Sequence, residues 1–339
     1  ELKKKYGDAR RTQILEGVLA DVDEAALIKP EDVVVTVTHA GYVKRLPVDT
    51  YKEQRRGGKG IIAAGTKEED FVEDLFIANT RSSLLFFTDK GKVHWIKVYQ
   101  LPEASRIAKG TAVVNLLQLE EGEKVQTVIP IIEFDPKHFL FFVTQKGTVK
   151  KTSLEEFSNP RKGGIIALGI EEGDTLISVL LTDGKRDIII ATEGGMAIRF
   201  NEDDVRSMGR TAFGVNGIRL KDDKVVGAVV ADETKLLLSI TEKGYGKRTP
   251  INEYRLIGRG GVGVINFNVT EKTGKVVAVK SVAGKEGLML ISKNGIIIRT
   301  TVDQVSEIGR NTQGVRVMRL DDGDEVMSAA LVAEDSEEA

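Results

Sequence analysis

A six-fold internal repeat is the feature of this sequence that most constrains its fold. In each copy an apolar, strand-like run ends in Thr or Ser, and a glycine follows three residues after that hydroxyl residue. The motifs run from Thr38, Thr88, Thr144, Thr192, Thr241 and Ser292 to Gly41, Gly91, Gly147, Gly195, Gly244 and Gly295. Because these glycines recur every 48 to 56 residues, the chain must fold as six similar units, here called repeats 1 to 6.

The residues around each motif predict about four short strands per repeat. The run before the turn is rich in β-branched and aromatic residues, as in Leu84–Phe87, and the glycine permits the positive φ of a tight hairpin. A second glycine follows about 19 residues later, and then come another apolar strand, an acidic turn and a last apolar strand. These second glycines are Gly60, Gly110, Gly164, Gly214, Gly263 and Gly314.

The repeats predict an all-β ring. A lone four-stranded sheet exposes both faces, and radial stacking of six such sheets would bury them. We therefore expect a six-bladed, propeller-like ring of four-stranded blades over residues 33–332, after a lead-in segment at 1–32 that begins with a short helical stub, Glu1–Tyr6. The predicted blades are 33–80, 84–131, 139–184, 187–232, 236–284 and 287–332, and an acidic tail follows at 333–339.

Composition and motifs exclude several classes of protein. The chain has 339 residues, 41% of them apolar and 29% charged, and no apolar run is long enough to cross a membrane. It contains no cysteine and starts with a charged segment, so we expect a cytoplasmic protein without disulfides or a signal peptide. Because HExxH, GxxxxGK[ST] and GxSxG motifs are all absent, we expect neither a metal, nor a cofactor, nor an enzyme.

Cations recur at fixed positions in the repeats, although the net charge is −2. Four residues after the turn glycine stand Arg45, Lys151, Arg199, Arg248 and Arg299, while repeat 2 has Trp95 there and Lys97 two residues further on. Lys44, Lys150 and Lys247 precede three of these residues. Equivalent positions around a ring would form a basic belt suited to a polyanion. The alternative is that these side chains only solubilise an exposed strand end.

The most basic local segment consists of Gln54, Arg55, Arg56, Gly57, Gly58, Lys59 and Gly60. Its glycines would let phosphates approach backbone N–H groups, and its cations would neutralise them. An arginine also lies four residues before most of the second glycines, at Arg56, Arg106, Arg210, Arg259 and Arg310. Repeat 3 departs from this spacing, because its Arg161 lies one residue closer to Gly164.

The seven residues 54–60 match in full the box that is characteristic of the C-terminal domain of the DNA gyrase A subunit, and the chain resembles that family over essentially its whole length. The opening Lys4–Thr12 resembles the segment that leaves the coiled coil of type II topoisomerase A subunits. The resemblance implies a β-pinwheel of six blades that exchange strands. It also implies a basic outer edge that wraps double-stranded DNA, with the box in the first blade needed for wrapping.

The resemblance further implies that this chain is a non-catalytic part of a larger enzyme. The family's DNA-cleaving tyrosine follows an arginine, and no tyrosine of this sequence does so. The implied partners are therefore the rest of the gyrase A subunit, the gyrase B subunit with its ATPase, and duplex DNA of the nucleoid. The implied outcome is ATP-dependent negative supercoiling by the whole enzyme.

Two alternatives stay open at this point. The C-terminal domain of the topoisomerase IV A subunit has a related ring, but its box is usually absent or degenerate and its blades are often fewer. A propeller that acts as a protein-interaction scaffold belongs to a different class. Such a scaffold would predict variable loops on one face of the ring rather than a belt of cations on its perimeter.

Overall fold

The computed structural model describes residues 5, 27–47, 72–105, 108–294 and 296–332. Strands are numbered in chain order, and each of the first five sheets has four. Blade 1 contains β1 (Asp32–Thr38), β2 (Tyr42–Pro47), β3 (Val72–Asn79) and β6 (Thr111–Ala112). Blade 2 contains β4 (Ser83–Thr88), β5 (Lys92–Lys97), β7 (Val125–Ile131) and β10 (Ile165–Ile166). Blade 3 contains β8 (Phe139–Thr144), β9 (Thr148–Ser153), β11 (Leu176–Thr182) and β14 (Val215–Asn216).

The remaining blades repeat this composition. Blade 4 contains β12 (Asp187–Thr192), β13 (Met196–Asn201), β15 (Val225–Val230) and β18 (Val264–Ile265). Blade 5 contains β16 (Leu236–Thr241), β17 (Tyr245–Pro250), β19 (Val276–Val282) and β22 (Val315–Arg316). Blade 6 has three strands within the described residues, β20 (Gly287–Ser292), β21 (Ile297–Thr301) and β23 (Val326–Val332).

Helices are few in the described ranges. A single turn of α-helix, α1 (Val113–Leu116), follows β6. Short 3-10 turns follow the second strand of repeats 2 to 6, at Val98–Gln100, Leu154–Phe157, Glu202–Asp204, Ile251–Glu253 and Val302–Gln304. No helix in this part of the chain is long and apolar enough to span a membrane. The all-β, six-bladed prediction is therefore confirmed.

Adjacent repeats exchange a strand. In each four-stranded sheet the first, second and last long strands come from one repeat, and the outermost two-residue strand comes from the next repeat. In blade 4, for example, β18 of repeat 5 pairs with β13 of repeat 4 in antiparallel register, with Met196 opposite Ile265. In repeats 2 to 6 this exchange places the segment after the second glycine on the outer edge of the preceding blade.

The hydrophobic core lies between neighbouring blades. Side chains of the first strands of two successive blades meet there, as shown by Phe87 and Phe142, whose rings stack edge to face with centroids 5.7 Å apart. The third long strands form the inner wall, and β23 of blade 6 contacts β3 of blade 1. The ring is thereby closed within the described residues.

The Thr or Ser that opens each motif has a structural role in the hairpin. Its Oγ accepts a hydrogen bond from the backbone N–H four residues later, as Thr192 does from Met196 at 3.1 Å and Ser292 from Ile296 at 3.2 Å. All six repeats show this contact. The hydroxyl therefore satisfies an N–H group where the ladder is interrupted by the turn.

Some predictions fall on residues that are not described. The helical stub Glu1–Tyr6 lies outside the described residues apart from Lys5, and the acidic tail 333–339 lies wholly outside them. The boundaries predicted for these segments stay predictions.

Candidate nucleic-acid interface

The outer edge of the ring is formed by the exchanged strands β6, β10, β14, β18 and β22 and by the loop that precedes each of them. Each loop contains the arginine and the second glycine that the sequence singles out. A polyanion that follows the perimeter would meet these loops in turn, because equivalent residues of successive repeats lie at equivalent places on successive blades. We call this surface the outer edge.

The second glycines permit the close approach of the exchanged strand. Gly263 has φ +83°, and a Cβ at this position would lie 2.3 Å from the carbonyl oxygen of Ala197 on the second strand of the preceding blade. Any side chain would push β18 away from β13 and favour a different backbone conformation. The spacing of about 19 residues is therefore a signal of strand exchange as well as of a turn.

Lys44, Lys150 and Lys247 are buried beneath the outer edge, with at most 1% of their surface exposed. Each ammonium group donates to carbonyl oxygens of the loop from the following repeat. Lys44 reaches Ala108 at 2.8 Å, and Lys150 reaches Gly209 at 3.3 Å and Arg210 at 2.5 Å. These lysines fasten the exchanged segment to the preceding blade.

Burial lowers the pKa of two of these lysines. Desolvation lowers the pKa of Lys150 to about 7 and that of Lys247 to about 8, since the apolar surroundings disfavour an ammonium ion. The prediction that they belong to a solvent-facing belt is therefore corrected. The second strand on which they lie is covered by the exchanged strand, which the sequence pattern alone does not reveal.

Repeat 2 has His94 in place of this lysine. The imidazole is 2% exposed, and its Nε2 lies 3.6 Å from Oε1 of the buried Glu123. Burial, the largest influence, lowers the pKa of His94. Repeat 2 thus fills the position with a group that carries less charge than the lysines of repeats 1, 3 and 5.

The cations one residue further on also contact protein groups. Arg199 is 9% exposed, and its guanidinium bonds Asp187 and Glu233 at 2.7 Å each. Lys151 is 5% exposed and donates to the carbonyl of Glu202 at 2.9 Å. Arg45 and Arg248 are half-buried, and each Nε donates to a backbone carbonyl, that of Leu101 or Val305. Burial removes Lys151 and Arg199 from the candidate surface.

Three arginines form a repeated contact on the outer edge. In each of them Nη1 donates to the backbone carbonyl of the second residue of the exchanged strand on the preceding blade. The distances are 3.3 Å for Arg210, 3.1 Å for Arg259 and 3.0 Å for Arg310. The accepting carbonyls belong to Ile166, Asn216 and Ile265. Each guanidinium therefore bridges two adjacent blades. Nε of Arg259 also donates to the carbonyl of Asp204 at 2.8 Å, and Nε of Arg310 is buried, so contact with an acceptor outside the ring would fall to the remaining Nη groups.

The other predicted residues lie apart from this group. Arg299 is exposed on β21, and Lys97 is half-buried at the end of β5, where its ammonium donates to the carbonyl of Arg81 at 3.4 Å. Arg161 is exposed in the loop of repeat 3. The box residues Gln54, Arg55, Arg56, Gly57, Gly58, Lys59 and Gly60, together with Arg106, lie outside the described residues.

The structure also places on the outer edge cations that the sequence pattern did not single out. Lys109, directly before Gly110, lies over the ring of Tyr42 with its Nζ 3.9 Å from the centroid. Arg219 and Arg319 are exposed, each five residues after a second glycine, and Arg316 is exposed at the end of β22. These residues stand at three different distances from the second glycine, so no single repeat position would have found them.

Comparison with known proteins gives one family for the whole ring. A family model described as the DNA gyrase C-terminal domain, a beta-propeller, matches residues 32–79, 82–132, 138–183, 186–232, 235–283 and 288–333. Curated relatives include the DNA gyrase A subunits of Clostridium acetobutylicum, 50% identical over 339 residues, and Salmonella typhimurium, 46% identical over 334 residues. These alignments cover 100% and 98% of this chain and 41% and 38% of the relatives. The chain thus spans about two fifths of their length.

Solved structures with the same architecture come from two enzymes, a DNA topoisomerase IV and a DNA gyrase. The C-terminal domain of a DNA topoisomerase IV superposes with a TM-score of 0.78 at 26% identity, covering 90% of this chain and 94% of that domain. A DNA gyrase A C-terminal domain superposes with a TM-score of 0.69 at 28% identity, covering 89% of this chain and 100% of that domain.

Proposed function

The chain belongs to the DNA gyrase C-terminal domain family, and on that premise we propose that it binds duplex DNA along its outer edge and bends the duplex around the ring. The observation that carries the proposal is the repeated bridge made by Arg210, Arg259 and Arg310. Because the same guanidinium recurs on successive blades, a duplex that contacts one of them would meet the next by curving along the perimeter.

The exposed cations of the outer edge support a role in phosphate contact. The exposed Arg259 and Arg299 are retained as proposed DNA contacts, and so are the half-buried Arg45, Lys97, Arg210, Arg248 and Arg310. Arg161, exposed in the loop of repeat 3, is added to them. Contacts to phosphates position a duplex without reading its sequence. We therefore expect low sequence specificity, with some preference for deformable base steps.

The energetics of bending set a requirement for many contacts. DNA has a persistence length of about 150 bp, so tight wrapping of tens of base pairs costs several kcal/mol. Several phosphate contacts together can offset this cost, and each releases counterions. Binding should therefore weaken steeply as the salt concentration rises.

The role in a larger enzyme is part of the same proposal. The curated relatives are DNA gyrase A subunits of which this chain matches about two fifths. We propose that the chain acts without catalysis of its own, together with the rest of a gyrase A subunit and with a gyrase B subunit, in ATP-dependent negative supercoiling. Its proposed place is in the cytoplasm, on the DNA of the nucleoid.

Ligation of a nicked DNA circle in the presence of increasing amounts of the chain tests the proposal. We expect the topoisomers to shift in linking number with one consistent sign, because DNA that wraps in one hand stores writhe when the nick is sealed. Binding without any shift would contradict wrapping. Absence of duplex binding at low salt would contradict the proposed function as a whole.

A second candidate is the function of a topoisomerase IV C-terminal domain, for which we propose that the ring holds DNA without wrapping it. The superposition on a topoisomerase IV C-terminal domain, at a TM-score of 0.78, favours it. A ring of this kind that holds DNA without wrapping it would bind the nicked circle and leave its linking number unchanged. The same ligation experiment therefore separates the two candidates.

A further inference from the structure

Blade 5 differs from the other blades at the outermost pair of its sheet. Tyr245 opens β17 directly after the turn glycine, and its cross-strand partner on the exchanged strand is Arg316. Nη2 of Arg316 donates to the hydroxyl of Tyr245 at 3.1 Å, and its guanidinium carbon lies 5.5 Å from the ring centroid. The ring itself is 6% exposed, so it is a fixed support for the exposed arginine.

A second cation approaches the same ring from another part of the repeat. Nζ of Lys272 lies 5.5 Å from the centroid of Tyr245, and the lysine side chain is exposed. Among the described residues, no carboxylate lies within 4.0 Å of Lys272 or Arg316. Two cations therefore converge on one aromatic ring without a neutralising partner from the described part of the chain.

The position of Lys272 is acidic in several other repeats. In repeats 2 to 6 the backbone N–H of the residue after the motif Thr or Ser donates to a carbonyl of the turn before the third long strand, and Lys272 lies three residues before that carbonyl in repeat 5. The residues at the same place in the other repeats are Glu121, Glu172 and Asp322, and Lys221 in repeat 4. A cation at this position next to a tyrosine and an arginine occurs in blade 5 alone among the described hairpins, because repeat 4 has Met196 in place of the tyrosine.

Both cations lie on backbone that is held in place. The carbonyl of Gly244 accepts from Val317 at 2.8 Å and Met318 at 3.0 Å, which fixes the strand that carries Arg316. The turn that carries Lys272 is closed by the bond from the N–H of Thr273 to the carbonyl of Thr270, at 3.1 Å. A backbone that is already ordered loses little further conformational freedom when the side chains that it carries bind a ligand.

We propose that Tyr245, Arg316 and Lys272 form a phosphate-binding subsite in which the two cations hold a single phosphate. Arg316 would contribute guanidinium N–H donors, Lys272 a point charge, and Tyr245 the surface that orients both. The subsite rests on the proposed function for its main ligand, a backbone phosphate of duplex DNA. Its chemistry would also admit free inorganic phosphate.

The salt dependence of duplex binding tests whether the cations share one phosphate. For B-DNA the slope of log K against log salt changes by about 0.9 for each phosphate contact that is lost. We expect R316Q and K272Q each to reduce the slope by no more than about 0.9, and the double variant to reduce it by about 0.9 as well. A double variant that loses about 1.8 would overturn the shared site, and so would one that loses nothing.

Two further variants make the result specific. Lys285→Gln removes an exposed lysine of the same repeat at the opposite end of the strands, and we expect it to leave the slope unchanged. Tyr245→Phe removes only the hydroxyl that holds Arg316, and we expect about a two- to tenfold loss of affinity, as for one hydrogen bond. An unchanged urea midpoint shows that each variant is folded. An equal slope change in Lys285→Gln would overturn the proposal.

A titration followed by the NMR signal of the Arg316 Nε–H distinguishes the sources of phosphate. A shift with inorganic phosphate, absent in Tyr245→Phe, supports a general phosphate site, and a shift with duplex alone supports a site for DNA phosphates. No shift with either overturns the subsite. If the unmodified chain binds no duplex, the proposed function fails, and the inorganic phosphate titration still decides the subsite.

Discussion

Nζ of Lys247 donates a hydrogen bond to the carbonyl oxygen of Gly309 at 2.8 Å, and the two residues belong to different repeats. The same ammonium group also donates to the carbonyl of Arg310 and, at 3.1 Å, to Oγ1 of Thr312. A single buried side chain therefore holds the loop of repeat 6 against blade 5. The attachment of neighbouring repeats depends on such polar contacts as well as on the apolar core.

Replacing Lys247 by Met should destabilise the ring. Methionine keeps most of the volume but leaves the carbonyls of Gly309 and Arg310 without their buried donor, which costs about 1–3 kcal/mol. We expect a lower midpoint of urea unfolding by circular dichroism. Lys285→Met, at an exposed position, should leave the midpoint unchanged, and an equal effect of both substitutions would contradict the structural role of Lys247.

The stability of the ring should depend on pH through Lys150, whose pKa burial lowers to about 7. Between pH 7 and the ordinary pKa of lysine near 10.4, the unfolded chain binds a proton that the folded chain does not. This group therefore makes the free energy of unfolding rise with pH across that window, by at most about 1.4 kcal/mol per unit. It adds no pH dependence below the folded pKa.

Urea unfolding at pH 7, 8 and 9 measures this effect. We expect the difference in unfolding free energy between the unmodified chain and Lys150→Met to grow with pH, because other titrating groups cancel in the difference. A difference that stays constant over this range would show that Lys150 remains protonated in the folded ring. The carbonyls of Ala167, Gly209 and Arg210 would then compensate for its burial.

Two glycines of one loop should respond differently to alanine. At Gly263, φ is +83° and a Cβ would meet the carbonyl oxygen of Ala197 at 2.3 Å, whereas a Cβ at Gly258 would meet nothing within 4 Å. We expect Gly263→Ala to lower the free energy of unfolding by more than about 1 kcal/mol and Gly258→Ala to change it little. Similar urea midpoints for the two variants would argue against close strand exchange at Gly263.

The sequence predicted the ring because its signals are local and repeated. The motif from Thr192 to Gly195 encodes a hairpin through its own hydroxyl and its own positive φ, and six copies specify six hairpins. The sequence did not reveal which strand lies outermost, since β18 pairs with β13 across a repeat boundary. That long-range pairing decides whether a basic residue of the second strand is exposed.

The candidate site was predicted only in part for the same reason. Lys150 and Arg210 are both basic residues at recurrent positions, yet one is buried below the exchanged loop and the other bridges the outer edge. Their charge and their spacing in the sequence do not distinguish the buried residue from the exposed-edge residue. The contrast depends on the covering segment, which is 59–60 residues away along the chain and is set by tertiary pairing.

The bridging arginines should contribute to wrapping through the geometry of the guanidinium group as well as through its charge. Arg259 donates through Nη1 to Asn216 at 3.1 Å and through Nε to Asp204 at 2.8 Å, and the single ammonium group of a lysine does not reproduce this planar, forked geometry. We expect Arg259→Lys to keep the salt slope of duplex binding but to reduce the linking-number shift in the ligation experiment. Arg255→Lys, an exposed exchange in the same loop, should change neither measurement. Equal shifts for both variants would contradict a role of the bridge in wrapping.

The box residues should contribute more to wrapping than to binding. We expect simultaneous replacement of Arg55, Arg56 and Lys59 by Ala to abolish most of the linking-number shift while duplex affinity falls moderately. Duplex affinity depends on all the phosphate contacts along the outer edge, so the other blades would still hold the duplex. A continuous bend, in contrast, needs every successive blade to grip the duplex, because each unsupported stretch of DNA relaxes towards a straight path.

The matched control removes three positive charges elsewhere on the ring. Lys137, Lys185 and Lys285 are exposed in the loops that join one blade to the next, and their replacement by Ala gives the same change in net charge. We expect this control to lower affinity slightly, through the general field of the protein, and to leave the linking-number shift intact. If both triple variants lost affinity and shift in the same proportion, the box would act only as part of the overall positive charge, and its proposed role in wrapping would be wrong.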